Sequence, residues 1–302
     1  MTAADGALTG FAPAKVNLTL HLQGQREDGY HLMSSLVVFP EIGDHISVVA
    51  ADGISLSVSG PGAQALDQGR NLVLDAADAL SRTIAADAQD IRTPDSKTPD
   101  LITPGASLRL VKTLPVAAGI GGGSSDAATT LRLLARLWDV DVPPDLPARL
   151  GADVPVCTRA PVPQIMEGIG DVLRPAPPLP PSAILLANPG VAVPTGEVFA
   201  KVPDRHPPDG APMPEAGFSG FVDLVAWLRR CRNDLQGAAL DIAPPIGEVL
   251  SALSPAAVSR MSGSGATCWA LFPNLQEAEA LARSVRLRAP GWWVETAWVN
   301  RP

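Results

Sequence analysis

The stretch PVAAGIGGGSSD, residues 115–126, constrains the fold of this chain more than any other. It follows an alternating apolar run, residues 107–114, which predicts a strand. It precedes a run with helical apolar periodicity, residues 127–138. We therefore expect a strand, a glycine loop and a helix start in succession. Glycines let a bulky group approach the main chain, and the N–H groups and positive dipole end of a helix start suit a phosphate.

The two common glycine-loop signatures do not fit this stretch. A Walker loop needs a lysine after its spacer, and no lysine lies between residues 112 and 201. The dinucleotide fingerprint needs glycine at its sixth position, and the sixth residue counted from Gly119 is Ser124. A nucleophile elbow needs glycine at the position that Asp126 occupies. A flexible linker is the remaining alternative. A linker needs no helix cap, and we expect Ser124, Ser125 and Asp126 to form one.

Length and composition limit the alternatives. A chain of 302 residues favours about two domains, and a proline-rich segment at 160–181 places the boundary near Pro161, giving domains 1–161 and 162–302. The net charge of −8 argues against a general nucleic-acid partner. Three widely spaced cysteines predict buried, reduced thiols. Without a signal peptide or an apolar run of about 20 residues, we expect a soluble cytoplasmic monomer or homodimer that binds no membrane.

Residues 14–22 alternate strictly between apolar and polar side chains, which predicts a half-buried strand with Lys15 and Asn17 on its polar face. That face is either solvated or part of a site, and the pattern supports both readings equally. Tyr30 and His31 follow a turn further along. A histidine in such a place is more often structural than catalytic. Asp153 lies beside apolar residues, and is either a solvated loop aspartate or a semi-buried carboxylate that needs a cation or hydrogen bonds.

Other patterns predict the surrounding scaffold. Two alternating runs, 45–50 and 54–59, are joined across an Asp-Gly turn and predict a hairpin. An amphipathic helix begins after Asn71, and a single long helix is expected over 221–240. Strands interleaved with helices over an antiparallel core indicate an α+β sandwich.

Several motifs, taken together, resemble the GHMP kinase superfamily. They are PAKVNL at 13–18 with DGYH at 28–31, the glycine stretch, GADVP at 151–155, NDL at 233–235 and SGSGAT at 262–267. The resemblance covers nearly the whole chain. It implies a two-domain α+β GHMP kinase fold, with an N-terminal domain like ribosomal protein S5 domain 2 and a ferredoxin-like C-terminal domain.

Within this superfamily the motifs are similar to the branch that phosphorylates 4-diphosphocytidyl-2-C-methyl-D-erythritol with ATP in non-mevalonate isoprenoid biosynthesis. A mevalonate- or homoserine-type kinase is one alternative, although those alcohols have no base for Tyr30 and His31 to contact. A non-catalytic nucleotide-binding relative is another, although it would have little reason to keep both Lys15 and Asp153. Mg²⁺ is expected to bridge ATP oxygens. Its protein ligands are not identified by the sequence, with Ser125 and Asp126 as candidates.

The resemblance also assigns catalytic and nucleotide-binding residues. It implies that Asp153 accepts the proton of the substrate hydroxyl, while Lys15 keeps Asp153 ionised and stabilises the transferring charge. Asp126 stands where the motif usually has Asn, so we expect it to point to the helix cap or towards metal. The residues matched to the ATP phosphate loop are Pro115, Val116, Ala117, Ala118, Gly119, Ile120, Gly121, Gly122, Gly123, Ser124 and Ser125.

Five further residues match substrate-site positions: Asn17, Tyr30, His31, Thr195 and Phe199. The resemblance implies that Tyr30 and Phe199 sandwich the cytosine ring. It implies that His31 hydrogen-bonds the polar edge of that ring.

Overall fold

The computed structural model describes residues 6–66, 71–90, 104–202 and 210–302 of the chain. It divides into two compact units that each combine segments distant in the sequence. The first unit comprises Met1–Ala12, Gly43–Leu114 and Gly123–Thr158, and the second comprises Pro13–Ile42, Pro115–Gly122 and Arg159–Pro302. The predicted domains 1–161 and 162–302 stay a prediction.

The described residues form thirteen strands and nine helices. The strands are β1 (Leu8–Pro13), β2 (Val16–Asn17), β3 (His21–Gln25), β4 (His31–Val38), β5 (Gly43–Ala51), β6 (Ile54–Ser59), β7 (Gly105–Val111), β8 (Gln164–Gly168), β9 (Val172–Pro175), β10 (Ser182–Asn188), β11 (Val258–Met261), β12 (Cys268–Phe272) and β13 (Trp293–Asn300). The helices are α1 (Leu72–Asp90), α2 (Gly122–Trp138), α3 (Leu146–Leu150), α4 (Val154–Cys157), α5 (Thr195–Ala200), α6 (Phe221–Leu228), α7 (Gln236–Ile242), α8 (Pro245–Leu253) and α9 (Leu275–Arg288).

The first unit is built on a four-stranded sheet in the order β1-β5-β7-β6. The hairpin predicted for β5 and β6 is wrong, because β7 lies between them, antiparallel to β5 and parallel to β6. Gly105 at the start of β7 lies against the turn that joins β5 to β6, where a Cβ atom would come 2.6 Å from the Gly53 nitrogen. The Asp-Gly signal therefore marks a turn correctly, but it does not determine which strands pair.

Two long helices complete the first unit. The predicted start of α1 is confirmed, because the Asn71 side-chain oxygen accepts a hydrogen bond from the Val73 N–H at 2.9 Å. The predicted cap of α2 is wrong. The helix begins at Gly122, so Ser124, Ser125 and Asp126 are helical residues rather than capping ones. The predicted order of strand, glycine loop and helix is confirmed by β7 and α2.

The second unit contains two sheets. One is five-stranded, with β2-β4-β8-β9 in order and β3 paired to β4, and the other is four-stranded in the order β11-β12-β10-β13. The second sheet is antiparallel throughout, and α8 and α9 contribute buried apolar residues to its core. Antiparallel sheets covered by helices confirm the α+β class.

The segment predicted as one strand over 14–22 departs from that prediction. It forms only β2 and β3, and its polar residues Lys15, Asn17, Thr19 and His21 are 5%, 1%, 2% and 6% exposed, so neither face is solvated. Between the two strands, the Leu20 N–H donates to the Arg232 carbonyl at 3.0 Å. The same pairing interrupts the helix predicted over 221–240, which is α6 and α7 separated by an extended segment.

Cys157, Cys231 and Cys268 are buried and form no disulfide, as the sequence predicts. Within the described ranges, no helix combines the length and the apolar character that crossing a bilayer requires.

Candidate active site

The glycine loop, residues 115–125, connects β7 to α2. Residues 115–122 belong to the second unit, and residues 123–125 are in the first unit, at the start of α2. Buried side chains of Ala118 and Ile120, 4% and 1% exposed, anchor the loop between its glycines. Gly119 and Gly121 have φ of +73° and +60°, a backbone region that residues with a Cβ atom rarely adopt.

Three carbonyl groups of the loop are held by donors within the second unit. The Ala118 carbonyl accepts from the Thr267 N–H at 3.1 Å, and the Ile120 carbonyl accepts from the Lys15 N–H at 2.8 Å. The Gly119 carbonyl between them accepts from the Ser262 hydroxyl at 3.2 Å. Protein donors from distant parts of the sequence therefore fix the backbone of residues 118–120.

Lys15 lies directly beneath this loop. A Cβ atom on Gly121 would come 3.0 Å from the Lys15 Cβ and 3.3 Å from its Cε, so glycine is required for the loop to lie over the lysine stem. Lys15 is only 5% exposed. Burying an ammonium group is costly unless partners compensate it. Lys15 is therefore not a solvated surface lysine.

Asn17 is held on three sides. Its N–H donates to the Ser262 hydroxyl at 3.0 Å, its side-chain nitrogen donates to the Ser35 hydroxyl at 2.7 Å, and its carbonyl accepts from the Trp269 ring nitrogen at 3.0 Å. Its side-chain oxygen is buried and has no hydrogen-bond partner among the described residues. An unpaired buried acceptor is costly, so this oxygen suits a hydroxyl or amino group of a ligand.

The remaining predicted substrate residues also lie in the second unit. The rings of His31 and Phe199 are stacked, with centroids 5.1 Å apart and an interplanar angle of 29°. Tyr30, immediately before β4, is 62% exposed. The Thr195 hydroxyl, at the start of α5, lies 2.8 Å from the Ser264 hydroxyl.

Asp153 belongs to the first unit, where it occupies the N-cap position of α4. Its side chain makes no capping hydrogen bond, and it is half-buried. An aspartate at this position would ordinarily bond the free N–H groups of the helix. The Asp153 carboxylate is therefore not used for capping.

Sequence reasoning missed a buried charge cluster in the first unit, formed by Asp44, Lys112 and Asp126. The Lys112 ammonium nitrogen lies 2.6 Å from an Asp44 oxygen and 2.7 Å from an Asp126 oxygen, and the three residues are at most 2% exposed. Asp126 does not serve as a helix cap, because it lies inside α2 and pairs with Lys112, while the expectation that it points towards metal stays a prediction. A signal was available. Asp44 in β5 has the same parity as the apolar Ile46 and Val48, and Lys112, one residue after β7, continues the parity of Leu108 and Leu110.

The cluster perturbs its own ionisation. Burial raises the pKa of Asp126 to about 7, against the attraction of Lys112 and with added repulsion from Asp44. Burial alone would lower the pKa of Lys112, but the two carboxylates together raise it. When all three groups are ionised the cluster carries one surplus negative charge.

The role of the serine turn, residues 262–267, is the second feature that the sequence does not predict, although SGSGAT is one of the superfamily motifs. Asn233 fixes this turn, because its side-chain nitrogen donates to the carbonyls of Met261 at 2.9 Å and Gly263 at 2.8 Å. Asn233 belongs to the NDL motif, but only the fold shows which carbonyl groups it holds.

Comparisons with known proteins agree with this geometry. A family model described as GHMP kinases N terminal domain matches residues 71–172, and one described as GHMP kinases C terminal matches residues 222–290. A protein of Jannaschia sp. (strain CCS1) called 4-diphosphocytidyl-2-C-methyl-D-erythritol kinase is 48% identical, over 97% of this chain and 97% of its own length.

Solved structures show the same likeness. A crystal structure of 4-(cytidine 5'-diphospho)-2C-methyl-D-erythritol kinase superimposes with a TM-score of 0.74 at 30% identity, covering 96% of this chain and 98% of that one. Homoserine kinase from Cytophaga hutchinsonii superimposes with a TM-score of 0.61 at 14% identity, covering 100% and 96%. The second comparison supports the fold alone.

Proposed function

Starting from the fact that the chain belongs to the GHMP kinases, we propose that it transfers the γ-phosphoryl group of ATP to the 2-hydroxyl of 4-diphosphocytidyl-2-C-methyl-D-erythritol. One observation carries this proposal: relatives named for this substrate match 48% of residues over 97% of the chain. The reaction would belong to non-mevalonate isoprenoid biosynthesis. The mevalonate- and homoserine-type alternatives share only the fold at 14% identity.

ATP is the co-substrate that a kinase family implies, and the glycine loop is where we propose that its phosphates bind. Phosphoryl transfer depends on positioning and charge neutralisation more than on covalent chemistry by the protein. The fixed carbonyls of residues 118–120 and the start of α2 support this role, since they orient the loop's backbone for an anion.

We propose distinct roles for the two catalytic residues. Lys15 would stabilise negative charge on the transferring phosphoryl group, which its burial under Gly121 supports, because a charge acts more strongly where water is excluded. Asp153 would accept the proton of the 2-hydroxyl, which its half-buried position at the start of α4 supports.

The substrate residues have proposed roles as well. The buried Asn17 oxygen would accept a hydrogen bond from the substrate. The exposed ring of Tyr30 and the ring of Phe199 would contact the cytosine, with His31 at its polar edge and Thr195 beside the acceptor. Aromatic faces suit a flat base because stacking needs no particular hydrogen-bond pattern.

Mg²⁺ is implied by phosphoryl transfer, and one residue of the loop fits it. The Ser125 hydroxyl is buried, has no hydrogen-bond partner among the described residues and is in the first turns of α2. The described part of the chain holds no group of three acidic, His or Cys side chains that could bind a metal by itself. Mg²⁺ commonly takes few protein ligands and several phosphate oxygens. When bound, it would neutralise phosphate charge.

A coupled ADP-release assay tests the proposed function. Purified protein receives ATP, Mg²⁺ and one of three alcohols: the cytidyl substrate, mevalonate or homoserine. We expect ADP release above the no-acceptor background with the cytidyl substrate alone. Release with mevalonate or homoserine instead would assign the chain to another branch, and background release with all three would support a non-catalytic relative.

The role of Asp153 is tested with Asp153→Asn. We expect kcat to fall by about 10²–10⁴-fold, the usual contribution of a general base, while binding of a non-hydrolysable ATP analogue is retained. Asp145→Asn is a matched control, because Asp145 also occupies an N-cap position without a capping bond and is 67% exposed. Near-normal turnover by Asp153→Asn would remove it from the mechanism.

The role of Lys15 is tested with Lys15→Met. We expect kcat to fall by about 10²–10³-fold, as for other preorganised groups that stabilise transition-state charge. Lys201→Met, at an exposed position, provides the control. A loss of only a few-fold with Lys15→Met would reduce Lys15 to a structural residue.

A further inference from the structure

We propose that Ser264 is a positioning residue for the acceptor side of the site, because its hydroxyl holds Thr195 and thereby the helix α5 that carries Phe199. The inference rests on the proposed function. The two serines of the serine turn, residues 262–267, then have separate roles: Ser262 holds the glycine loop and Ser264 holds α5.

The serine turn is a rigid platform within the second unit. The Ser262 N–H donates to the Thr267 carbonyl at 2.9 Å, and the Gly265 N–H donates to the Ser262 carbonyl at 3.0 Å. Asn188 donates to the Thr267 hydroxyl at 2.9 Å, in addition to the two bonds from Asn233. Buried polar groups that are paired in this way fix one arrangement of the backbone.

Ser262 serves the nucleotide side. Its hydroxyl is fully buried, accepts from the Asn17 N–H at 3.0 Å and donates to the Gly119 carbonyl at 3.2 Å. One hydroxyl group thus ties the segment after Lys15 to the glycine loop. Its single hydrogen is used in the bond to Gly119, so the Ser262 hydroxyl has none to donate to α5.

Ser264, two residues after Ser262, contacts the acceptor side instead. Its side chain is 7% exposed, and its hydroxyl lies 2.8 Å from the hydroxyl of Thr195. Thr195 is itself exposed, so this bond joins a buried platform to a surface helix.

Helix α5 depends on such a tie. It has only six residues, its N-cap is Pro194, and it has no side-chain capping bond. A helix this short is unstable without tertiary contacts. Val198, which has no exposed surface, and the half-buried Phe199 pack against the core, while the Ser264 hydroxyl holds the helix start. Thr195 and Phe199 are four residues apart and therefore lie on the same helix face.

It follows that substituting the two serines should change different kinetic constants. Ser264→Ala frees the start of α5, which should raise the KM for the cytidyl substrate about ten-fold, the effect of one lost hydrogen bond, with the KM for ATP unchanged. Ser262→Ala makes the same chemical change on the same turn. It should lower kcat and raise the KM for ATP, because it releases Gly119 and Asn17.

A double-mutant cycle tests the contact itself. Ser264→Ala and Thr195→Val each remove one side of the hydroxyl pair, so adding Ser264→Ala to Thr195→Val should raise the acceptor KM no further than Thr195→Val alone does. Thr195→Ser keeps the hydroxyl and should retain most of the wild-type acceptor KM. Independent, multiplying effects of the two substitutions would overturn the inference, as would an equal change in both KM values for Ser264→Ala.

Amide hydrogen exchange gives a readout that does not depend on activity. We expect faster exchange over Thr195–Ala200 in Ser264→Ala and no change there in Ser262→Ala. Unchanged exchange in α5 of Ser264→Ala would overturn the inference even if the wild-type protein phosphorylates the cytidyl substrate. Absence of wild-type turnover with that substrate would instead overturn the proposed function, and the acceptor role of Ser264 with it.

Discussion

The serine turn and the buried charge cluster are two buried polar assemblies that hold different parts of the chain by different physics. In the second unit, neutral donors on residues 262–267 and Lys15 hold the carbonyls of the glycine loop. In the first unit, the cluster joins Lys112, which precedes the loop in sequence, to Asp126, which follows it. The neutral assembly is held by the geometry of its hydrogen bonds, whereas the charged one is held by the attraction of Lys112 for two carboxylates.

The difference has an energetic consequence. A neutral hydrogen bond contributes about 1 kcal/mol net, and removing one side costs about 1–3 kcal/mol when a buried partner is left unsatisfied. Buried ions cost several kcal/mol each to desolvate, so removing one partner costs more than the pair contributes. We therefore expect substitutions in the cluster to change the free energy of unfolding strongly and in a way that depends on pH. Substitutions in the serine turn should change it less and independently of pH.

The largest effect is expected from Lys112→Met. This substitution leaves Asp44 and Asp126 buried without a cation and should lower the free energy of unfolding by about 3–5 kcal/mol in urea titrations at neutral pH. Lys201→Met is the matched control, because Lys201 is exposed and its replacement should cost under about 0.5 kcal/mol. Equal, small losses for both variants would mean that the cluster contributes no charge balance.

The next effect is a dependence on pH that Asp126→Asn should remove. The folded-state pKa of Asp126 is raised from 3.8 to about 7, so the folded chain holds this proton more tightly than the unfolded chain. The free energy of unfolding of the wild type should therefore fall as the pH rises from 3.8 to about 7, by about 2–4 kcal/mol relative to Asp126→Asn. The measurement is urea unfolding of both proteins without Mg²⁺ or nucleotide.

A constant difference between these two proteins across the window would contradict the raised pKa. A difference that grows in the opposite direction would place Asp126 among ordinary paired carboxylates, whose stabilising contribution is lost as pH falls.

A smaller, pH-independent effect is expected from Asn233→Ala. The substitution leaves the carbonyls of Met261 and Gly263 without their donor and should cost about 2 kcal/mol. Because no charge is involved, urea unfolding at about pH 6 and about pH 8 should give the same loss. A loss that changes strongly between these two pH values would remove the distinction between the neutral and charged assemblies.

The sequence predicts much of this molecule, for reasons that individual elements make clear. Period-2 and helical patterns locate β7, α1 and α2, because each is determined by its own residues. The glycine loop is predicted because the strand before it and the helix after it are adjacent to it in sequence. The superfamily and its fold follow from motifs in a fixed order.

What could not be predicted depends on partners distant in the sequence. β7 enters between β5 and β6 from residues 105–111, and Leu20 pairs with the segment that interrupts the helix predicted over 221–240. The charge cluster joins Asp44 to Lys112, which are far apart along the chain. The Ser264–Thr195 contact is equally long-range. Local patterns determine elements, whereas tertiary pairing determines which polar residues meet.

Phosphorus-31 NMR of the reaction mixture tests the central claim most directly. The protein is incubated with ATP, Mg²⁺ and 4-diphosphocytidyl-2-C-methyl-D-erythritol, and product signals are compared with parallel mixtures containing mevalonate or homoserine. We predict one ADP for each new phosphomonoester signal, with the diphosphate signals of the cytidyl substrate retained. ADP formation without a new phosphomonoester, or a phosphomonoester only with mevalonate or homoserine, would contradict the account.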